Sequence, residues 1–99
     1  MKILLKSFDG SALGQKVIQK LQASLSHWAD RLGQVVVRIV DLNGPKGGVD
    51  KACSILVEVP RREPLRVTAI GSDYVTATNL AIHRLGRVAY RAFNRRAFQ

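Results

Sequence analysis

VVVRIVDLNGPKGGVDKACSILVEVPRREPLRVTAI, residues 35–70, holds three apolar runs separated by two turn-forming stretches. In the first run Val35, Val37 and Ile39 alternate with Val36, Arg38 and Val40, a period of two that fits an extended chain. Because β-branched residues fall on both sides, 35–41 reads as a well-buried strand. Residues 43–50 contain three glycines and Pro45 and read as a loop. Cys53, Ile55, Val57 and Val59 then share one face of a strand over 52–59, and 65–70 repeats the alternation after a turn at 60–64. The three runs are expected to pair as consecutive antiparallel strands.

Upstream, Ile3 and Leu5 mark a short first strand over 2–7, and Asp9-Gly10 makes a turn. Ser11 is placed to cap a helix in which Val17, Leu21, Leu25, Trp28 and Leu32 recur every three or four residues, closed by Gly33. Downstream, Ser72 or Asp73 caps a second helix to about residue 96, with Ala81, Leu85, Val88 and Ala92 turned inward. The order is β-α-β-β-β-α. The simplest α+β architecture packs both helices on one face of a four-stranded mixed sheet, the first crossover being parallel and right-handed. At 99 residues and 46% hydrophobic, the chain supports a single domain spanning 1–99.

Sixteen Lys and Arg face seven Asp and Glu, a net charge of +9 that favours a polyanionic partner. The hydrophobic fraction places that charge on a folded body, not a disordered tail. A single cysteine excludes an intrachain disulfide, and residues 1–8 are too short and too charged for a signal or membrane segment, so a cytoplasmic location with no membrane contact is expected.

The charge is concentrated at one end. From residue 74 to 99 there is no Asp or Glu, while Arg84, Arg87, Arg91, Arg95 and Arg96 crowd the second half of that stretch. At about 100° per residue the first four line one stripe of the helix. Each like-charged pair costs an isolated helix roughly 0.2–0.5 kcal/mol, and a merely solubilising face would mix in Glu. The helix dipole offsets this only within the last turn and does not reach Arg84 or Arg87. Arginine's planar fork suits phosphate and stacked bases, so the stripe reads as an RNA-binding face. The first helix adds Lys16, Lys20, His27 and Arg31 on a common side, and two basic stripes on adjacent helices would bound one groove.

Other signals fail. The loop at 43–51 has Val49 and Ala52 where a phosphate-binding loop needs Gly and Ser or Thr, and Pro45 and Lys46 break a calcium-loop pattern. Cys53 lies in an apolar strand and reads as core, as does Trp28. His27 and His83 lack partners at zinc-site spacing. No enzyme, cofactor, metal site or small-molecule substrate is expected.

Taken together, these residues resemble the ribosome hibernation promoting factors, the family that includes ribosome-associated inhibitor A and the sigma-54 modulation proteins. The likeness rests on Asp30-Arg31-Leu32 before the strand at 35–40, on Ser72-Asp73-Tyr74 opening the last helix, and on Arg84-Leu85 followed by Arg87 and Arg91. The loop Asp-Leu-Asn-Gly-Pro-Lys-Gly-Gly at 41–48, with Asp50-Lys51, is similar to a variant in a proteobacterial branch. Val75 and Asn79 replace the family's usual aromatic and acidic residues, leaving this helix more basic. The resemblance implies binding to small-subunit rRNA in the mRNA and tRNA channel and inhibition of translation by occupancy. Arg84, Arg87 and Arg91, with Arg95 one turn on, would carry the contacts of the last helix. Arg31 matches the basic residue near the end of the first helix, with Lys20 a looser match, and the basic stripe of that helix adds Lys16. The chain ends after its last helix, so the short form is expected, monomeric off the ribosome. The alternative is a general or double-stranded-RNA-binding module without ribosome specificity, which would read duplex shape.

Overall fold

A computed structural model describes residues 1–6, 12–42 and 51–94. The elements are β1 (Lys2–Lys6), α1 (Ala12–Ser24), a 3-10 helix (Ser26–Arg31), β2 (Gln34–Asp41), β3 (Lys51–Val57), β4 (Leu65–Gly71) and α2 (Tyr74–Asn94). They form an α+β domain with one four-stranded sheet, ordered β1-β2-β3-β4. β1 runs parallel to β2, with Ile3 beside Val35, and the other pairs are antiparallel. The expected β-α-β-β-β-α order and mixed sheet are both present. Ser7, the Asp9-Gly10 turn, the Ser11 cap, the 43–50 loop, Arg95 and Arg96 lie outside the described residues.

The register puts one side chain from each strand into shared rows. Val37 pairs with Ile55 and Ile55 with Val67, while Ile39, Cys53 and Ala69 make the next row. These residues are buried together with Val17, Leu21 and Leu25 of α1 and Ala77, Ala81, Leu85 and Ala89 of α2. The core therefore lies between one sheet face and the helices. Three of those four α2 residues are alanines, small enough for the helix to sit close to the sheet while leaving room for α1 beside it.

Four expectations are corrected. The first helix does not run unbroken to Gly33. It ends at Ser24 and continues as a 3-10 helix, where Ser26 Oγ donates to the Ala23 carbonyl and so competes with the helical backbone ladder. Gly33 is not the helix cap. Leu32 holds that place in an extended conformation, and Gly33 already bonds across the sheet, its N–H donating to the Glu58 carbonyl at 2.8 Å. The strand at 35–41 is buried on one face only: Val36 is half-buried and Val40 is 41% exposed, because among the described residues nothing covers the outer face of the sheet there. The inward stripe of the last helix includes Ala77, Thr78, Ile82, Ala89 and Phe93, whereas Val88 and Ala92 are only half-buried.

Two contacts fix how α2 leaves the sheet. Asp73 Oδ1 accepts the Thr76 backbone N–H at 2.7 Å, an N-cap that satisfies an otherwise orphaned donor. Gly71 ends β4 where a Cβ would come within 2.7 Å of the Ala77 backbone nitrogen, so only glycine lets strand and helix approach this closely. At the same end of the sheet, beside Gly71, Lys51 Nζ and Asp41 Oδ2 form an ion pair at 2.9 Å across the ladder.

Candidate nucleic-acid interface

The two helices lie side by side because Gly86 faces Ser24; a Cβ at Gly86 would stand 3.1 Å from Ser24 Oγ. Just outside this contact Lys20 Nζ donates to Asn79 Oδ1, joining α1 to α2. Asn79 occupies the place where the resembled family often has an acid; here a neutral amide orients the lysine without cancelling its charge. The seam opens into a shallow groove of about 520 Å³ lined by Lys20, Ser24, Asn79, His83 and Arg87 among others. A groove between the helices is present, and of the two basic stripes it brings together only Lys20 and Arg87.

The remaining residues of the stripe separate. Arg87 and Arg91 are exposed on successive turns of α2. Arg84 is also exposed but leans away from α1, its Nη1 donating to the Thr68 carbonyl on edge strand β4 at 2.7 Å. That bond satisfies a backbone acceptor which an edge strand would otherwise leave to water or another chain. Lys16 is exposed one turn before Lys20 on α1 and does not line the groove. Arg31 is carried off by the change from α to 3-10 helix; its guanidinium sits over the Phe93 ring, 4.8 Å from the centroid. Arg95 lies outside the described residues.

Sequence reasoning missed a second gathering of cations at the C-terminal end of α2. Arg62 donates from Nη2 to the Ala92 carbonyl at 3.0 Å and lies 5.2 Å from the Phe93 centroid, which Trp28 also stacks against at 5.5 Å. The available signal was the Arg61-Arg62 pair between two prolines.

The groups that usually carry chemistry are elsewhere. Cys53 is fully buried, and burial pushes its thiol pKa up, the adjacent Thr78 hydroxyl pulling weakly the other way. A thiol in that state is a poor nucleophile. Among the described residues no three His, Cys, Asp or Glu side chains gather as a metal site, and no helix is long and apolar enough to cross a membrane.

A two-layer α+β domain with an acid-free, cationic second helix is the class that this fold and site define. Among solved structures the chain is similar to a ribosomal subunit interface protein from Coxiella burnetii, at TM-score 0.71 and 17% identity over 93% of this chain and 99% of that one. It is also similar to the N-terminal domain of Protein Y from Thermus thermophilus, at TM-score 0.65 and 20% identity over 89% and 96% of the two chains. These likenesses establish a shared fold. No family model and no curated protein sequence matches the chain.

Proposed function

We propose that the chain is a ribosome hibernation factor, which binds small-subunit rRNA in the mRNA and tRNA channel and silences translation by occupying it. The observation that carries this reading is the exposed face of α2, where Arg87 and Arg91 stand without an acidic neighbour on their own helix, beside a groove that adds Lys20. Arg84, Lys16 and Arg31 extend the cationic surface, and Arg95 follows α2 in the sequence. The ribosomal subunit interface protein named above lends its support through the shared fold. On this reading the protein acts in the cytoplasm as a monomer and performs no chemistry.

Cosedimentation with purified small subunits tests the proposal. Binding should weaken steeply with salt, each neutralised phosphate adding about 0.7–0.9 to the log-log slope. Arg87→Glu with Arg91→Glu should abolish cosedimentation while the circular dichroism spectrum stays unchanged. If the double variant still cosediments, the assignment fails. If the wild-type chain binds a random RNA duplex as tightly as it binds subunits, the general RNA-binding module replaces it.

A further inference from the structure

The turn between β3 and β4 is strained at a residue for which no hydrogen bond or ion pair among the described residues accounts. The Arg62 N–H donates to the Val59 carbonyl at 3.0 Å, closing a four-residue turn with Pro60 second and Arg61 third. Arg61 has φ 68°, the left-handed conformation that this position of a type II turn demands. Glycine or asparagine normally stands there, because any other side chain crowds its own backbone. Among the described residues, Arg61 is the only non-glycine with positive φ.

Its neighbours explain themselves and Arg61 does not. Arg62 satisfies a carbonyl in the last turn of α2 and rests on Phe93, a structural use of a cation at the negative end of a helix dipole. Arg31 reaches the same ring from the 3-10 helix. Arg61 is exposed, with no hydrogen bond or ion pair among the described residues. Together the turn and the end of α2 enclose an open cleft of about 520 Å³ lined by Arg61, Arg62, Glu63, Ala92 and Phe93. Arg61 and Arg62 of the turn and Arg31 of the 3-10 helix, three guanidiniums from two elements, thus lie at one end of the molecule. Arg62 is committed by one N–H, Arg31 by its ring face alone, and Arg61 by nothing.

We propose that this end is a second phosphate-binding point, in which Arg61 is held out by the strained turn to contact the RNA backbone and Arg31 and Arg62 flank it. The inference rests on the reading of the protein as an rRNA binder and adds a contact away from the groove between the helices. Phosphate is the anion this site takes because the partner in the proposed function is RNA; Arg61 supplies charge to it, and Arg31 and Arg62, held by ring and carbonyl, present their remaining N–H donors in a fork that a phosphate matches.

Arg61→Gly is a decisive variant, since it removes the charge and relieves the backbone together. It should melt at or above the wild-type temperature, so weaker binding cannot be ascribed to unfolding. Losing one phosphate contact should flatten the salt slope for small-subunit binding by about 0.8 and weaken binding about sixfold at roughly 0.1 M salt. Arg61→Lys, which keeps the charge, should bind like the wild type. Unchanged affinity and slope for Arg61→Gly, with binding lost in the Arg87→Glu, Arg91→Glu variant, would overturn this proposal and leave the proposed function standing. Failure of the wild-type chain to cosediment would overturn both.

Discussion

Replacing Thr78 by valine should stabilise the domain, against the usual direction of core substitutions. Thr78 is 1% exposed on the inner face of α2, and its hydroxyl finds no hydrogen-bond partner among the described residues. It lies beside the Cys53 thiol, a weak acceptor, without forming a well-made bond. A buried hydroxyl left in this state costs about 1–3 kcal/mol. Valine has nearly the same shape and a similar helix propensity, so neither packing nor the helix should suffer. The methyl that replaces the hydroxyl adds roughly 0.8 kcal/mol of apolar burial. Allowing for incomplete relaxation, a net gain of about 1–2 kcal/mol is expected, raising the melting temperature by about 4–8 °C per kcal/mol in a domain of this size. Urea unfolding at unchanged m-value measures it, and Thr78→Ser, which keeps the hydroxyl and loses the methyl, should be less stable than the wild type. A valine variant no more stable than the wild type would mean that the hydroxyl is satisfied in solution, either by Cys53 or by the carbonyl one turn earlier. A double-mutant cycle with Cys53→Ala separates these, since only the first gives a coupling energy.

Two further predictions follow from the same surroundings and from the α2 cap. Cys53 should resist a thiol reagent such as DTNB in the native state and react at the rate of global unfolding; fast labelling of the folded protein would contradict both its burial and its raised pKa. Asp73 has its pKa lowered first by the Thr76 backbone N–H, then by the Thr76 hydroxyl, against an ordinary value of 3.8. Its charged form is therefore favoured in the folded state, so its contribution is complete above that ordinary value and disappears as pH falls through the lower, folded one. Asp73→Asn, which retains a capping oxygen, should lose less melting temperature than the wild type below about pH 4, and Asp73→Ala should melt lower at neutral pH. Parallel pH profiles for Asn and wild type would refute this.

Much of the fold was legible because two periods dominate the sequence. Alternation at 52–59 and 65–70 has one physical meaning, and residue type and position narrowed the cap of α2 to Ser72 or Asp73, of which the structure uses Asp73. What escaped notice depends on neighbours that a period does not specify. β2 carries β-branched side chains on both sides, a pattern identical for a strand covered twice and for one with Val36 and Val40 facing outward. The spacing of Leu25, Trp28 and Leu32 suits an apolar face whether the backbone stays α-helical or tightens into a 3-10 helix, and a local Ser26 bond decided it. Helical spacing likewise groups Arg84, Arg87 and Arg91 on one stripe but is silent on what flanks it: Arg84 found the edge of β4, Arg87 the α1 groove. Nothing in Pro60-Arg61-Arg62 signals positive φ, since the residue that normally announces it is missing.

The same separation of arginines bears on why so basic a helix is tolerated. Repulsion between Arg87 and Arg91 costs roughly 0.2–0.5 kcal/mol, and less at physiological salt, where exposed charges are screened within about 8 Å. Arg84 and Arg62 donate to carbonyls at 2.7 and 3.0 Å, which turns them away from the Arg87 and Arg91 face without cancelling their charge. Against this small cost, each phosphate contact changes affinity about sixfold at roughly 0.1 M salt, the equivalent of about 1 kcal/mol. The exchange favours binding only if the cations are held in place, because flexible side chains lose entropy when immobilised. The Lys20–Asn79 bond and the Gly86–Ser24 contact supply that hold by fixing α1 against α2. Widening the seam with Gly86→Leu would displace Lys20 from Arg87 without changing a single charge. A loss of subunit binding at an unaltered net charge of +9 would then separate geometry from electrostatic attraction as the source of affinity.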